Sequence, residues 1–163
     1  MRPEVFNWVQ AVVAREKPRA PILEVGALDV NGSVRPLFPE PYLGLDLQGG
    51  PGVDVVGDIE ECRGQWVKEE FYKTIVCCET LEHVACPMDA LLGMWGVAAE
   101  DSLLILTTVF AFPIHGRPDY WRFTPDGLDK LISDAGWVVV RIETEGELPG
   151  VGPVGIFAIA RKP

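Results

Sequence analysis

The chain has 163 residues, of which 48% are hydrophobic and 23% charged, so its composition is that of a globular protein and argues against extended disorder. This length favours one domain with a sizeable core. Twenty-four acidic and fourteen basic residues give a formal net charge of −10, which argues against duplex nucleic acid as a partner, because such a surface repels phosphate backbones.

The N-terminal segment predicts a helix over residues 1–18. Pro3 suits a first helical position, and apolar residues then repeat at helical spacing until the chain reaches Pro18. The segment lacks an apolar core of signal-peptide length, and the longest nearly apolar stretch, residues 103–114, is too short to span a bilayer. We therefore expect a cytoplasmic protein that does not bind membranes, with this helix packed against the edge of a sheet.

A buried strand is predicted over residues 22–25, because four mostly β-favouring residues precede Gly26. The glycine opens a loop that closes on Asn31 and Gly32. Glu24 interrupts the apolar strand, and its carboxylate needs a partner, because an unpaired charge is costly to bury.

Two further strands each lead to an acidic residue. The first, over residues 42–46, ends with Asp46, and the second, over 53–57, is followed by Asp58. A strand, a glycine loop and an acid about twenty residues later are typical of a site that binds the ribose of an adenosine. The glycine lets the backbone approach the ligand, and the carboxylate accepts hydrogen bonds from both ribose hydroxyls.

The second half of the chain continues the alternation of strands and helices. Strands are predicted over residues 72–78, 102–108, 137–142 and 154–160, and helices over 87–99 and 125–136. A connection rich in Gly and Pro joins the last two strands, so we expect them to pair antiparallel. Seven strands with interleaved helices predict an α/β three-layer sandwich, organised as a single domain over residues 1–163.

Finer features of these elements are also predicted. The helix over 87–99 has a predicted buried face formed by Leu91, Leu92, Trp95 and Ala98. Thr124 is expected to cap the following helix and Gly136 to end it. Trp66 is expected to face inward. The four cysteines, Cys62, Cys77, Cys78 and Cys86, show no paired Cys-x-x-Cys spacing, so we expect reduced structural thiols.

Three segments, taken in order, resemble class I S-adenosylmethionine-dependent methyltransferases, most closely the small branch related to the type 11 methyltransferases. The first is the stretch 22–58, with its glycine and acids. In the second, Leu81-Glu82-His83-Val84 is similar to the run that follows strand 4 in that group. The third, residues 115–125, is similar to a Pro-x-Asp-Tyr-Trp-Arg-Phe-Thr-Pro segment of many bacterial members, several of which are associated with sugars or envelope glycans.

The glycine loop departs from the pattern of that family. The usual Gly-x-Gly-x-Gly is present only as Gly26, with Leu28 and Val30 where the other two glycines would fall. Asn31 and Gly32 are expected to supply the permissive backbone instead. The resemblance implies a Rossmann-like sheet in the order 3-2-1-4-5-7-6 and S-adenosyl-L-methionine as the cofactor.

The resemblance implies cofactor contacts from Glu24, Gly26, Asn31, Gly32, Asp46, Leu47, Asp58, Ile59, Cys78 and Glu79. Glu24 would contact the amino group of the methionine end, and its alternative is a carboxylate that organises the loop. Asp46 would bind the ribose. Asp58, with the backbone of Ile59, would read the adenine, and the alternative is a helix N-cap, which is compatible with that role.

Other parts of the site follow from the same resemblance. Cys78 and Glu79 would lie beneath the sulfonium, where a backbone carbonyl suffices. The N-terminal helix would serve as a flap over the cofactor, an alternative to simple packing on the sheet. Residues 110–124 would cover the methyl acceptor.

Two histidines are candidates for a general base. His115 leaves the fifth strand into the expected acceptor loop, and His83 follows the fourth strand. The alternative for both is a binding or structural role, because alignment and desolvation supply much of the rate of an in-line methyl transfer. No metal site is predicted, since the two histidines are far apart in sequence and no acid cluster flanks either.

The acceptor wall is expected to contain Arg117, Asp119, Tyr120 and Arg122. Two guanidiniums on an acidic protein indicate an anionic or polyhydroxyl acceptor, such as a sugar that carries phosphate or carboxylate. The alternative is that Asp119 pairs with one arginine and the aromatic residues pin the loop.

We therefore expect a methyltransferase that acts on oxygen or nitrogen of a small molecule or a sugar or glycan precursor, with a homodimer as a candidate assembly. A first rival is a non-catalytic cofactor-binding subunit that scaffolds a partner. A second rival is a nicotinamide-dependent oxidoreductase. The incomplete Gly-x-Gly-x-x-Gly, the lack of a second domain and the terminal antiparallel pair argue against this second rival.

Overall fold

A seven-stranded sheet organises the protein and carries helices on both faces. The structure, a computed structural model, describes residues 1–61 and 67–163. The helices are α1 (Pro3–Glu16), α2 (Pro87–Val97) and α3 (Pro125–Asp134), and the strands are β1 (Ile22–Val25), β2 (Tyr42–Asp46), β3 (Val55–Val56), β4 (Tyr72–Cys78), β5 (Ala98–Val109), β6 (Val138–Glu145) and β7 (Gly155–Arg161).

The strand order is β3-β2-β1-β4-β5-β7-β6. Neighbouring strands from β3 to β5 are parallel, and β7 runs antiparallel between β5 and β6. The predicted order and the antiparallel last strand are therefore confirmed.

Side chains of the central strands alternate between two apolar cores, because successive residues of a strand point to opposite faces. Ile75 of β4 and Leu104 of β5 belong to the core under α2 and α3. Val76 and Ile105, their next neighbours, belong to the core under α1 together with Val9. This alternation produces the predicted three-layer sandwich.

Apolar runs predicted the bounds of β1, β2 and β4 correctly, but the bounds of the other elements differ from the predictions. Strand β5 begins at Ala98 rather than 102, and α2 ends at Val97, because Ala98 already pairs with Tyr72 of β4. Glu100 and Asp101, polar residues that locally favour a turn after the helix, lie within this irregular strand, where Asp101 has φ +57°. Strand β3 covers only Val55–Val56.

The buried face of α2 also differs from the prediction. It is formed by Pro87, Ala90, Leu91, Met94 and Val97, and Leu92 is 46% exposed. The residues predicted to cap and to end α3 are confirmed. Thr124 Oγ1 accepts a hydrogen bond of 3.0 Å from the Gly127 amide, and Gly136 follows the end of α3 with φ +97°.

Predictions for Trp66 and Cys62 lie outside the described residues. Cys77, Cys78 and Cys86 carry free thiols, and the first two are buried. Within residues 1–61 and 67–163, no helix combines the length and the apolar character that crossing a membrane requires.

Candidate functional site

A cavity of about 570 Å³ opens at the carboxyl ends of β1, β2 and β4. It lies where the chain order of the strands reverses, since β2 lies on one side of β1 and β4 on the other. In open α/β sheets, such a crevice is the usual place for a ligand. The volume falls in the range of small-molecule sites.

The first wall of the cavity is the glycine loop, residues 26–33. Gly26 has φ +79°, and a Cβ there would lie 2.0 Å from Thr80 Oγ1. That hydroxyl donates to the carbonyl oxygens of Cys78, at 3.1 Å, and Val25, at 3.4 Å, so it joins the ends of β1 and β4. Only glycine fits this approach. Gly32, at φ +119°, provides the second left-handed position in the loop.

Two predicted acids, Asp46 and Asp58, line the cavity. Asp46 accepts hydrogen bonds from the amides of Leu28, at 3.1 Å, and Gln48, at 2.9 Å, one on each carboxylate oxygen. Each oxygen can accept a second bond, so capacity for a ligand hydroxyl remains. Asp58 Oδ1 accepts from the Glu60 amide at 2.8 Å, which is the capping alternative, and its carboxylate still borders the cavity.

Glu24, at the base of the cavity, is only 4% exposed. The Tyr42 hydroxyl donates to its Oε2 at 2.9 Å. Burial raises the pKa of Glu24 to about 7, although the Tyr42 hydrogen bond and the charge of Arg35 both lower it. A cationic ligand group placed beside this carboxyl would favour its charged form.

The remaining predicted cofactor residues also border the cavity. They are Asn31, Leu47, Ile59, Cys78 and Glu79. Leu47 is 61% exposed and offers an apolar surface at the rim, whereas Ile59 and Cys78 are buried.

Sequence reasoning missed Arg2, which closes the cavity from the N-terminal side of α1. Its Nε lies 2.9 Å from Glu79 Oε2, and its Nη1 lies 2.9 Å from Glu145 Oε2. Its guanidinium also lies over the Phe112 ring, 5.2 Å from the centroid. No sequence signal identifies this contact, because its partners are distant in the chain.

His83 and His115 both line the cavity and pack together, with ring centroids 4.9 Å apart and an interplanar angle of 73°. Glu82 Oε1 lies 3.7 Å from His115 Nε2, and Asp119 Oδ2 lies 3.5 Å from His115 Nδ1. The two histidines are far apart in sequence, but the fold brings them together and places two acidic side chains beside them. Parallel pairing of β4 with β5 brings the segments after these strands together.

The acceptor loop, residues 110–124, is held by its own side chains. Arg122 binds Asp119 through Nη1–Oδ1, at 2.5 Å, and Nη2–Oδ2, at 2.8 Å, and it also donates to the carbonyl oxygens of Phe112 and Pro113. The His115 amide donates to Asp119 Oδ2 at 2.8 Å. The Arg122 guanidinium holds the pKa of Asp119 well below its usual range. These contacts match the alternative in which the pair pins the loop.

The other residues of this loop differ from the Asp119–Arg122 pair in their exposure and in their partners. Trp121 Nε1 donates to the Val84 carbonyl oxygen at 2.9 Å, so its indole anchors the loop. Tyr120 is 58% exposed. Arg117 lines the cavity, is exposed, and has no hydrogen-bond or ion-pair partner among residues 1–61 and 67–163. Its guanidinium is therefore available to an anionic ligand.

Comparison with protein-family models finds no match. No curated protein sequence matches the chain either. Solved structures match over nearly its whole length. One of them is the 1,6-didemethyltoxoflavin-N1-methyltransferase of Burkholderia thailandensis, solved with bound 1,6-didemethyltoxoflavin and S-adenosylhomocysteine. Its TM-score is 0.74 at 17% identity, and the match covers 97% of this chain and 78% of that enzyme.

Two further structures are similar. The CurJ carbon methyltransferase gives a TM-score of 0.71 at 15% identity and covers 96% of this chain, which spans 54% of CurJ. A complex between the Haloferax volcanii Trm112 methyltransferase activator and a methyltransferase gives 0.70 at 12% identity, covering 98% of this chain and 91% of the matched one. At these identities, the likeness shows that the chain has the methyltransferase fold.

Proposed function

We propose that the protein is an S-adenosylmethionine-dependent class I methyltransferase of the small type 11-like branch, transferring a methyl group to oxygen or nitrogen of a small molecule or a sugar or glycan precursor. The observation that carries the proposal is the arrangement of three acids, Glu24, Asp46 and Asp58, around one cavity at the switch point of the sheet.

These acids match the polar groups of the cofactor. Asp46 has acceptor capacity for the ribose hydroxyls, and Asp58 with the buried Ile59 borders the space for the adenine. Glu24 would pair with the ammonium of the methionine end, which compensates the cost of its burial. When bound, S-adenosylmethionine supplies an electrophilic methyl group on a sulfonium.

The protein contributes alignment and exclusion of water at the acceptor end. Arg2 lies over Phe112 of the acceptor loop, and both residues line the cavity together with residues 115–118 of that loop. Arg117 would bind an anionic group of the acceptor. We assign activation of the acceptor to His83 and His115, the two imidazoles at this end of the cavity.

The structural neighbours support this proposal, because one of them was solved with bound S-adenosylhomocysteine and 1,6-didemethyltoxoflavin. A cytoplasmic location and a homodimer stay predictions. The alternative, a cofactor-binding subunit that scaffolds a partner, draws on the Haloferax volcanii complex, in which a methyltransferase of this fold is bound to an activator.

Calorimetric titration with S-adenosylmethionine and S-adenosylhomocysteine tests the proposal, with NAD as the comparison for the oxidoreductase rival. We expect micromolar binding of both adenosyl compounds and none of NAD. Asp46→Ala should weaken binding by roughly 100-fold, because two hydrogen bonds to a charged group are lost.

Asp129→Ala, an exposed substitution on α3, is the matched control and should bind like the wild type. Unchanged affinity in Asp46→Ala would remove the ribose assignment. Absence of binding to either adenosyl compound would refute the proposed function.

A further inference from the structure

Three side chains with metal-binding groups converge beside the cavity. Glu82 and His83 come from the 3-10 turn Leu81–His83 that follows β4, and His115 comes from the acceptor loop. One ligand atom from each residue lies within 4.8 Å of the others. The whole chain contains two histidines, and both are in this cluster.

His83 has one ring nitrogen in a hydrogen bond, and its other ring nitrogen has no hydrogen-bond partner among residues 1–61 and 67–163. Its Nδ1 lies 2.5 Å from the carbonyl oxygen of Pro118. A carbonyl oxygen only accepts hydrogen bonds, so Nδ1 carries the proton and Nε2 keeps a lone pair. A hydrogen bond from the second nitrogen to a carbonyl or carboxylate is the support that metal-binding histidines usually have.

His115 has the same arrangement. Its Nδ1 faces two acceptors, the Pro113 carbonyl oxygen at 3.3 Å and Asp119 Oδ2 at 3.5 Å. Nε2 is therefore left with the lone pair, and it points to Glu82 Oε1 at 3.7 Å. Asp119 is itself held by Arg122, so it supports the imidazole from behind.

Glu82 supplies an independent observation, because its side chain is fully buried and only half satisfied. Oε2 accepts a hydrogen bond of 2.8 Å from Thr108 Oγ1. Oε1 is buried and has no hydrogen-bond partner in the described part of the chain. An unsatisfied buried carboxylate oxygen is costly, and a distance of 3.7 Å to His115 Nε2 is too long for a hydrogen bond. A cation between these two atoms would satisfy both.

We propose that Glu82, His83 and His115 bind a divalent first-row transition-metal ion, with Zn²⁺ the best match. Two imidazole nitrogens and one carboxylate oxygen are the ligand set of open zinc sites, which leave a position for water or substrate. Mg²⁺ prefers oxygen ligands, so it should bind more weakly. Glu79, which is close in sequence, is engaged by Arg2 and is not assigned as a ligand.

The location of this site suggests its role. His83 and His115 both line the cavity, beside Gly116 to Pro118 of the acceptor loop. A role for the ion in the reaction, unlike the ion site itself, rests on the proposed function. In that role the open coordination position would hold a hydroxyl group of the methyl acceptor, and the ion would lower the pKa of that hydroxyl.

Cobalt titration of the tag-free protein tests the site. Co²⁺ replaces Zn²⁺ in such sites and gives visible absorption bands that report its ligands. We expect one Co²⁺ per chain, displaced by Zn²⁺ and not by equimolar Mg²⁺. His115→Ala and His83→Ala should each weaken Co²⁺ binding at least about tenfold while the melting curve shows a folded protein.

Cys86→Ser is the control, because Cys86 carries the exposed thiol among the described cysteines and could bind Co²⁺ by itself. It should leave Co²⁺ binding unchanged. The inference is overturned by sub-stoichiometric Co²⁺ uptake, by unchanged affinity in both histidine variants, or by loss of binding in Cys86→Ser.

A parallel titration with S-adenosylhomocysteine separates this inference from the proposed function. Binding of the nucleoside without Co²⁺ overturns the ion site alone. Binding of Co²⁺ without the nucleoside refutes the proposed function and keeps the site. If both bind, removal of the ion by a chelator should lower methyl transfer to an oxygen acceptor, and unchanged transfer would overturn the assigned role.

Discussion

The glycine loop and the acceptor loop border the same cavity but are held in different ways. Backbone hydrogen bonds hold the glycine loop beside β2. The amides of Gly26 and Ala27 donate to the Leu45 carbonyl oxygen, and the amide of Asp29 donates to the Pro51 carbonyl oxygen. The acceptor loop also has backbone bonds, from the Tyr120 and Trp121 amides to the Glu82 carbonyl oxygen, and it adds the Asp119–Arg122 ion pair and the Trp121 indole. Both loops therefore have backbone support, and the acceptor loop adds an ion pair between two of its own side chains.

The difference explains how the glycine loop can lack two of the usual glycines. Neither Leu28 nor Val30 has a positive φ, and both side chains have room, since Val30 is 79% exposed and Leu28 lies beside Gly50. What the loop requires is close approach at one residue. We therefore expect substitution of Gly26 to lower the free energy of unfolding more than the other substitutions considered below.

Gly26→Ala should destabilise the protein by about 4 kcal/mol, since it combines an unfavourable φ with a collision against Thr80. Gly150→Ala is the matched control, because Gly150 has φ +76° and open space around it, so only the conformational cost of about 1 kcal/mol remains. Urea unfolding measures both. Equal costs would show that the contact between β1 and β4 does not constrain the loop.

Glu24 tests the electrostatics of the same region. Its folded-state pKa of about 7 exceeds the ordinary value of 4.5, so the folded state keeps a proton that the unfolded chain loses between these pH values. Stability of the ligand-free protein should fall as pH rises through this window, by about 3 kcal/mol at most.

Glu24→Gln removes this contribution, whereas the titration of Glu82, which falls in an overlapping range, is present in both proteins. The difference between the two unfolding curves against pH therefore isolates Glu24. A difference that does not change with pH would mean that Glu24 is charged in the folded protein.

Arg122→Ala tests the acceptor loop and should have the smallest effect, about 2 kcal/mol, because the buried Asp119 carboxylate loses its partner. Affinity for S-adenosylhomocysteine should be spared, since none of these contacts reaches the glycine loop. Arg117→Ala is the comparison and should leave urea unfolding unchanged, as its guanidinium has no partner in the described residues. Loss of nucleoside binding in Arg122→Ala would show that the two loops are coupled.

Much of the fold was predictable because it depends on local pattern. Apolar runs ending at Gly26, Asp46 and Cys78 define three strands whose carboxyl ends form the cavity. The strand order was available from the resemblance and not from the pattern. The start of β5 was missed, because pairing of Ala98 with β4 overrides the local signal for a turn.

The site was predictable only in part, for a related reason. Residues that follow a strand directly could be assigned to one edge of the sheet. The contacts of Arg2 with Glu79, and of His83 with His115, join segments that are distant in sequence. They depend on how loops cross above the sheet, which periodicity does not encode.

The position of β7 has a consequence for synthesis of the protein. Strands β5 and β6 do not pair with each other, and each is bonded to β7. During translation, β6 leaves the ribosome before the strand that attaches it to the sheet, and β5 presents an open edge over the same interval. An exposed edge of this kind is a template for pairing with other chains. Nascent chains that stop before residue 155 therefore carry an aggregation risk that the finished domain removes by inserting its final strand.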